Sequence, residues 1–156
     1  MVAKNLINKK GYMQIFIVGS PLETAQSLDK RRLWKQILET DQIINAARGL
    51  SQAWRNHPCC VQYRQHTHWL QLYHETLKFY WTGDYSSARV CSDRAETLKP
   101  EFHTQEFLDQ MKRRLYTKDK VFYQVWKNLG ESDENWYYIN DSIVKYKGGK
   151  RIKPKD

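Results

Sequence analysis

Leu28-Asp29-Lys30-Arg31-Arg32-Leu33-Trp34-Lys35-Gln36-Ile37-Leu38-Glu39 decides the fold of this chain, because it reads as one amphipathic helix carrying four cations and then a single carboxylate. At about 3.6 residues per turn, Arg32, Lys35, Gln36 and Glu39 share one side, while Leu33, Ile37, Ile44 and Ala47 form a stripe suited to a core. Two readings of the polar side stand next to each other. It is either a solvated basic face in which Glu39 pairs with Lys35 at i,i+4, or a phosphate-gripping face with an acid/base group at its end.

Working outward, Ser20-Pro21-Leu22-Glu23 combines an N-cap serine, a first-turn proline and a glutamate placed for a capping box, so a helix starts there and bends near Asp29. The second helical stretch runs to about Arg48, and Gly49 supplies its stop. Upstream, Gln14 to Val18 reads as a short apolar extended segment, preceded by a mobile polar arm over residues 1–12. Downstream, after a loop containing Trp54-Arg55-Asn56-His57-Pro58, a long helix is expected to about Trp81 on a stripe of Leu70, Tyr73, Leu77 and Tyr80, with Gly83-Asp84 as its break. Asp84 caps a helix to about Leu98 that buries Ala88, Cys91 and Ala95, and Thr104 opens another through Phe107, Leu108, Met111 and Leu115. A further helical segment bears Phe122, Val125, Trp126 and Leu129. Trp136 to Ile139 and Ile143 to Tyr146 are β-prone runs around Asn140-Asp141-Ser142, a hairpin pattern. The fold class is therefore mainly α: a helical domain over residues 13–147 with a short extended start, a C-terminal hairpin, and a basic tail over 148–156 too rich in glycine and charge to pack.

With 156 residues and no fixed-period repeat, one domain is expected. The excess of 26 Lys and Arg over 17 Asp and Glu gives a formal charge of +9, which favours a polyanionic partner. Three basic clusters, Lys30 to Lys35, Lys112 to Lys120 and Lys145 to Lys155, have aromatic neighbours such as Tyr116, Trp136, Tyr137 and Tyr146, a composition suited both to stacking on bases and to a core. Three cysteines, two of them adjacent, argue against a disulfide framework and for a reducing compartment. The longest apolar run, Ile15 to Val18, is far short of a membrane span, so a soluble cytoplasmic protein with no membrane partner is expected.

Asn56-His57-Pro58 stands at a helix mouth, where Asn56 is placed to cap and His57 to donate to a phosphate or shuttle a proton. His66, His68 and His74 suggest a metal, but positions 66 and 68 diverge by about 200° on a helix. No cysteine or carboxylate lies at a zinc spacing, so neither a metal nor a cofactor is expected.

Leu33, Glu39, Arg114-Leu115-Tyr116-Thr117-Lys118 and Trp136-Tyr137, taken in order, resemble the pyrimidine-dimer DNA glycosylase family, the small phage and bacterial endonuclease V-type repair enzymes. The bacterial and phage relatives carry a pattern similar to Leu28-Asp29…Arg32-Leu33…Lys35-Gln36…Glu39 followed by Trp54…Asn56-His57-Pro58. The resemblance implies a compact helical domain acting on duplex DNA, with backbone phosphates gripped and a nucleotide flipped from the stack. It also implies an amine that attacks the sugar C1′ to expel the base, and a glutamate that assists ring opening and β-elimination. Carried across by position, Glu39 is that glutamate, with Arg32 and Lys35 beside it; Asn56 and His57 are expected around it, and Arg31, Arg32 and Asn56 are expected to contact DNA. Arg114 and Lys118 would hold phosphates, and Trp136 and Tyr137 would match the aromatics near the substrate. The family amine belongs to the residue exposed when an initiator methionine is removed. Here twelve residues precede Met13-Gln14, which leaves Met13, Gln14, Lys35 or a water activated by Glu39 as alternatives. The expected function is a DNA glycosylase with or without AP-lyase activity, acting on a damaged or modified base. The rivals are a non-catalytic nucleic-acid-binding protein and a charge-driven protein-interaction module.

Overall fold

The computed structural model describes residues 13–154. The expected arm over residues 1–12 lies outside them. Helix α1 (Pro21–Ser27) begins with both halves of the capping box: Glu23 N–H donates to Ser20 Oγ at 3.1 Å, and Ser20 N–H donates to the Glu23 carboxylate at 3.1 Å. The chain turns at Leu28 and re-enters helix α2 (Lys30–Ala47) under an Asp29 cap, whose carboxylate accepts Arg32 N–H at 3.4 Å. Leu33, Ile37, Ile43 and Ile44 are the buried stripe of α2, and Gly49 at φ +77° ends it.

The expected long helix is two. Helix α3 (Pro58–Tyr63) stops, a turn intervenes, and helix α4 (Thr67–Trp81) follows. On an unbroken helix Tyr63 and Trp69 would stand about 9 Å apart along the axis and about 240° apart around it. The break instead lets their rings stack with centroids 5.6 Å apart, and Tyr73 extends the stack at 5.2 Å. All three are fully or almost fully buried, and aromatic packing of this kind outweighs helix continuity. After Gly83, helix α5 (Tyr85–Glu96) folds back on α4 under its Asp84 cap, burying Ala88, Cys91 and Ala95. Helix α6 (Gln105–Lys118) buries Phe107, Leu108, Met111 and Leu115 as the pattern required. The segment after it is a 3-10 helix, Gln124–Leu129, with Val125 exposed and Trp126 half-buried.

Strands β1 (Glu134–Ile139), β2 (Ser142–Lys147) and β3 (Lys150–Arg151) form an antiparallel sheet in that order. Asn140 and Asp141, both at positive φ, make the two-residue turn that pairs Ile139 with Ser142. Within the expected basic tail the side chains of residues 148–154 are exposed, but part of its main chain joins the sheet. Gly148 and Gly149 turn the chain back, and main-chain pairing of Lys150 and Arg151 with β2 needs no apolar side chain.

Residues 13–18 run extended through the centre without a strand neighbour, and this positions the site. Ile15 and Ile17 are fully buried, each worth about 1.5–3 kcal/mol of apolar burial. The segment's backbone is satisfied by side chains from several elements. Phe16 N–H donates to Gln36 Oε1 at 3.0 Å, Gln36 Nε2 donates to Gln14 O at 2.9 Å, Tyr73 OH donates to Phe16 O at 2.6 Å, and Tyr137 OH donates to Met13 O. Gln36, expected on the solvated polar face of α2, is therefore buried as the clamp between that helix and the segment. No helix among the described residues is long and apolar enough to cross a membrane.

A candidate active site between the extended segment and two basic helix faces

Met13 and Gln14 open into a pocket walled by α2 on one side and α6 on the other. From α2 come Arg32, Lys35 and Glu39, successive turns of the polar side. From the last turn and a half of α6 come Arg114 and Lys118, four residues apart and so on one face. Phe16, Gln36, Trp54 and Asn135 complete the lining. Glu39 is only 7 % exposed, and its carboxylate meets Lys35 Nζ at 3.5 Å. One buried carboxylate thus stands among four cations, so the lining carries a net positive charge.

Two supports fix the wall cations. The Asp29 carboxylate holds the Arg32 guanidinium at 3.2 Å and accepts from Tyr123 OH, while Asp29 N–H donates back to the Tyr123 oxygen at 3.0 Å. Burial raises the Asp29 pKa, but the Tyr123 and Arg32 hydrogen bonds and the Arg32 charge outweigh it and hold the carboxyl below its ordinary value. Arg114 is buried, and its guanidinium donates to Ser132 O at 3.3 Å, so it is anchored from behind by the loop before β1.

Of the residues singled out from sequence, Gln14, Arg32, Lys35, Glu39, Arg114 and Lys118 line this one pocket. Arg31 and Asn56 are solvent-exposed and do not line it. The cap of α3 is His57 and not Asn56. Pro58 occupies the first helical position, which places the cap one residue before it, and His57 Nδ1 accepts Cys59 N–H at 3.0 Å. The same ring reaches the site's edge, where Met13 N–H points at Nε2 over 3.3 Å. Burial lowers the His57 pKa from about 6.5 to about 4, so the ring is neutral near pH 7. Trp136 and Tyr137 are buried among core residues. Lys145 Nζ lies 4.4 Å from the Trp136 ring, Trp136 O accepts from Gln14 Nε2 at 2.7 Å, and the Tyr137 ring meets His57 edge-on at 5.9 Å. They support the pocket from beneath.

Trp54, Asn135 and Gln36 were not picked out as site residues. Asn135 had a signal: on a strand it shares a face with Tyr137. Gln14 Oε1, Trp54 Nε1 and Asn135 Nδ2 are buried atoms of the pocket lining without a hydrogen-bond partner among the described residues, an acceptor and two donors that a bound nucleotide or water would meet. No three His, Cys, Asp or Glu among the described residues are grouped to hold a metal ion.

Comparison with known proteins agrees with the resemblance in the sequence. Residues 13–82 match the family model described as pyrimidine dimer DNA glycosylase. No curated protein and no solved structure matches the chain. The matched stretch runs from the extended segment through α4 and holds Met13, Arg32, Lys35, Glu39 and His57, whereas Arg114, Lys118 and Asn135 come to the pocket from beyond it. The match over residues 13–82 supports the family that the sequence resembles.

Proposed function

We propose that the protein excises a damaged or modified base from duplex DNA through a covalent amine intermediate and then cleaves the strand. The observation that carries this reading is the burial of Glu39 in one pocket with the start of the extended segment and four cations. Arg32, Lys35, Arg114 and Lys118 grip the phosphates that flank an extruded nucleotide, and these contacts offset the few kcal/mol that unstacking costs. An amine nitrogen bonds to C1′ while the C1′ to base bond breaks, its electron pair leaving with the base, which takes up a proton. Opening of the sugar ring gives a Schiff base. Glu39 stands where a carboxylate can stabilise the oxocarbenium-like sugar, then accept the 2′ proton so that the C3′ to oxygen bond breaks by β-elimination.

The test is Glu39→Gln, which keeps shape and most hydrogen bonding but removes the charge. We expect binding of dimer-containing and abasic duplexes within about twofold of the parent, with single-turnover cleavage lower by about 10²–10⁴-fold. The Lys35 to Glu39 contact is half-exposed on the lysine side, so its loss shifts stability by less than about 1 kcal/mol. Unchanged cleavage together with a lower Tm would make Glu39 a structural ion-pair partner and the protein a DNA binder without this chemistry.

A further inference from the structure

Three large apolar side chains stand exposed on the turn where the chain leaves the pocket. Val121 is 81 % exposed, Phe122 53 % and Val125 78 %, and all follow closely on Lys118, the pocket residue that ends α6. The turn is held in one shape. Phe122 N–H donates to Asp119 Oδ1 at 2.9 Å, and Tyr123 N–H donates to Asp119 O at 3.0 Å. Tyr123 is buried, its ring stacked on Trp126 at 5.5 Å and its hydroxyl donating to the Asp29 carboxylate. That one ring joins the tip to the site: the Phe122 ring meets it edge-on at 4.9 Å, and the guanidinium of the pocket residue Arg32 lies 5.9 Å from its centre. Phe122 is therefore braced by the fold, and about half of it remains in water at the rim of the pocket.

Single exposed apolar residues are ordinary, but three within five positions on a pinned turn beside a cationic pocket mark a contact surface. Another exposed aromatic pair is different in kind: Trp34 and Trp81 cover each other at 5.2 Å, and Trp34 stands about 200° around α2 from Arg32. Over residues 118–127 three lysines stand against one aspartate, which is engaged in the turn, so the surroundings of the tip suit a polyanion. Extruding a nucleotide leaves a gap in the stack with an apolar base face on either side and phosphates at its edge, the setting in which apolar side chains insert between base steps. We infer that Phe122 is the wedge that enters this gap and stacks on the base next to the extruded nucleotide, an inference that rests on the glycosylase reading above and names the residue that holds the duplex open. Phe122 touches the neighbouring base and not the sugar under attack, so it sets how long the nucleotide stays out and forms or breaks no bond. The tip lies beyond the matched residues 13–82.

The experiment uses the full chain with Phe122→Ala, Phe122→Trp and, as control, Val90→Ala, a similarly exposed apolar side chain on α5. Binding is measured to two duplexes of one sequence, one intact and one with a tetrahydrofuran abasic analogue, which leaves a gap in the stack and resists β-elimination. Phe122→Ala should keep the parent's Tm and bind the intact duplex within about twofold, yet bind the gapped duplex about 5–150-fold more weakly, as expected for the loss of one aromatic–base stack. Phe122→Trp should bind the gapped duplex at least as tightly as the parent, and Val90→Ala should match it on both. Placement is read separately: 4-benzoylphenylalanine substituted for Phe122 and irradiated in the complex should cross-link to the nucleotide beside the gap, a result that does not depend on how the alanine variant folds. Parent-like binding of both duplexes by Phe122→Ala, an equal loss on both, or cross-links away from the gap would overturn the wedge, and cleavage of abasic or dimer-containing duplex by the same preparations would leave the glycosylase reading in place. The expected loss on the gapped duplex alone, in a protein that cleaves none of these substrates, would overturn the glycosylase reading and keep Phe122 as a gap-filling contact.

Discussion

Replacing Gln36 by methionine keeps the length of the side chain but removes its amide from a buried site. Phe16 N–H then loses its acceptor at 3.0 Å and Gln14 O its donor at 2.9 Å, while Tyr73 OH keeps Phe16 O. Leaving a buried backbone group unpaired costs about 1–3 kcal/mol, so the two together cost about 2–6 kcal/mol. For a chain of 156 residues, an unfolding entropy of about 2.1 cal/mol/K per residue converts each kcal/mol into about 3 °C. Thermal unfolding followed by circular dichroism should therefore give a Tm lower by about 6–18 °C. Leu38→Ala on the exposed face of the same helix is the control and should stay within about 0.5 kcal/mol of the parent. A drop of less than about 3 °C in Gln36→Met would refute the view that this amide clamps the extended segment to α2.

Two other outcomes can be measured directly. If Lys118 contacts a backbone phosphate, Lys118→Ala should reduce the slope of log K against log salt by about one for undamaged duplex; an unchanged slope removes it from the phosphate contacts. His57 and His103 are held neutral by burial, with values lowered to about 4 and about 3, so the unfolded chain binds more protons than the folded one below its ordinary value of about 6.5. Stability is full above that value and falls as pH drops through the window from about 6.5 to 4 for His57 and to 3 for His103, by about 1.4 kcal/mol per histidine per pH unit. Urea midpoints at pH 7, 6 and 5 check this, and a constant midpoint across them would contradict it.

The helical frame was legible because its punctuation is local. Ser20 with Glu23, Asp29, Gly49, Asp84 and Thr104 each act on the backbone within three or four residues, and each lies at the boundary it marked. The break between α3 and α4 was not legible, since it serves stacking of Tyr63 on Trp69 across a turn, which periodicity cannot register. The pocket was half legible. Arg32, Lys35 and Glu39 share a helix face, and Arg114 and Lys118 share another, both readable from spacing. That Gln36 points inwards between Lys35 and Ile37 depends on the unpaired backbone of residues 13–18, a segment remote in sequence. His57 was picked out by residue type, but its place depends on Pro58 setting the cap and on Met13 arriving 44 positions earlier in the chain.

The three cysteines give this protein a built-in timer. Cys59 and Cys60 have no exposed surface, and burial raises both thiols, with Cys59 also opposed by the Glu39 charge and stabilised by a hydrogen bond from the Ile15 backbone. A thiol reagent requires both access and thiolate, and Cys59 offers neither until the chain over residues 13–18 lifts away. Its rate of alkylation therefore counts how often the floor of the pocket comes apart. Cys91 on α5, 8 % exposed and distant from the pocket lining, counts separation of the α4 and α5 pair in the same sample. One labelling series, with no engineered cysteine, separates loosening of the pocket from loosening of the helical scaffold.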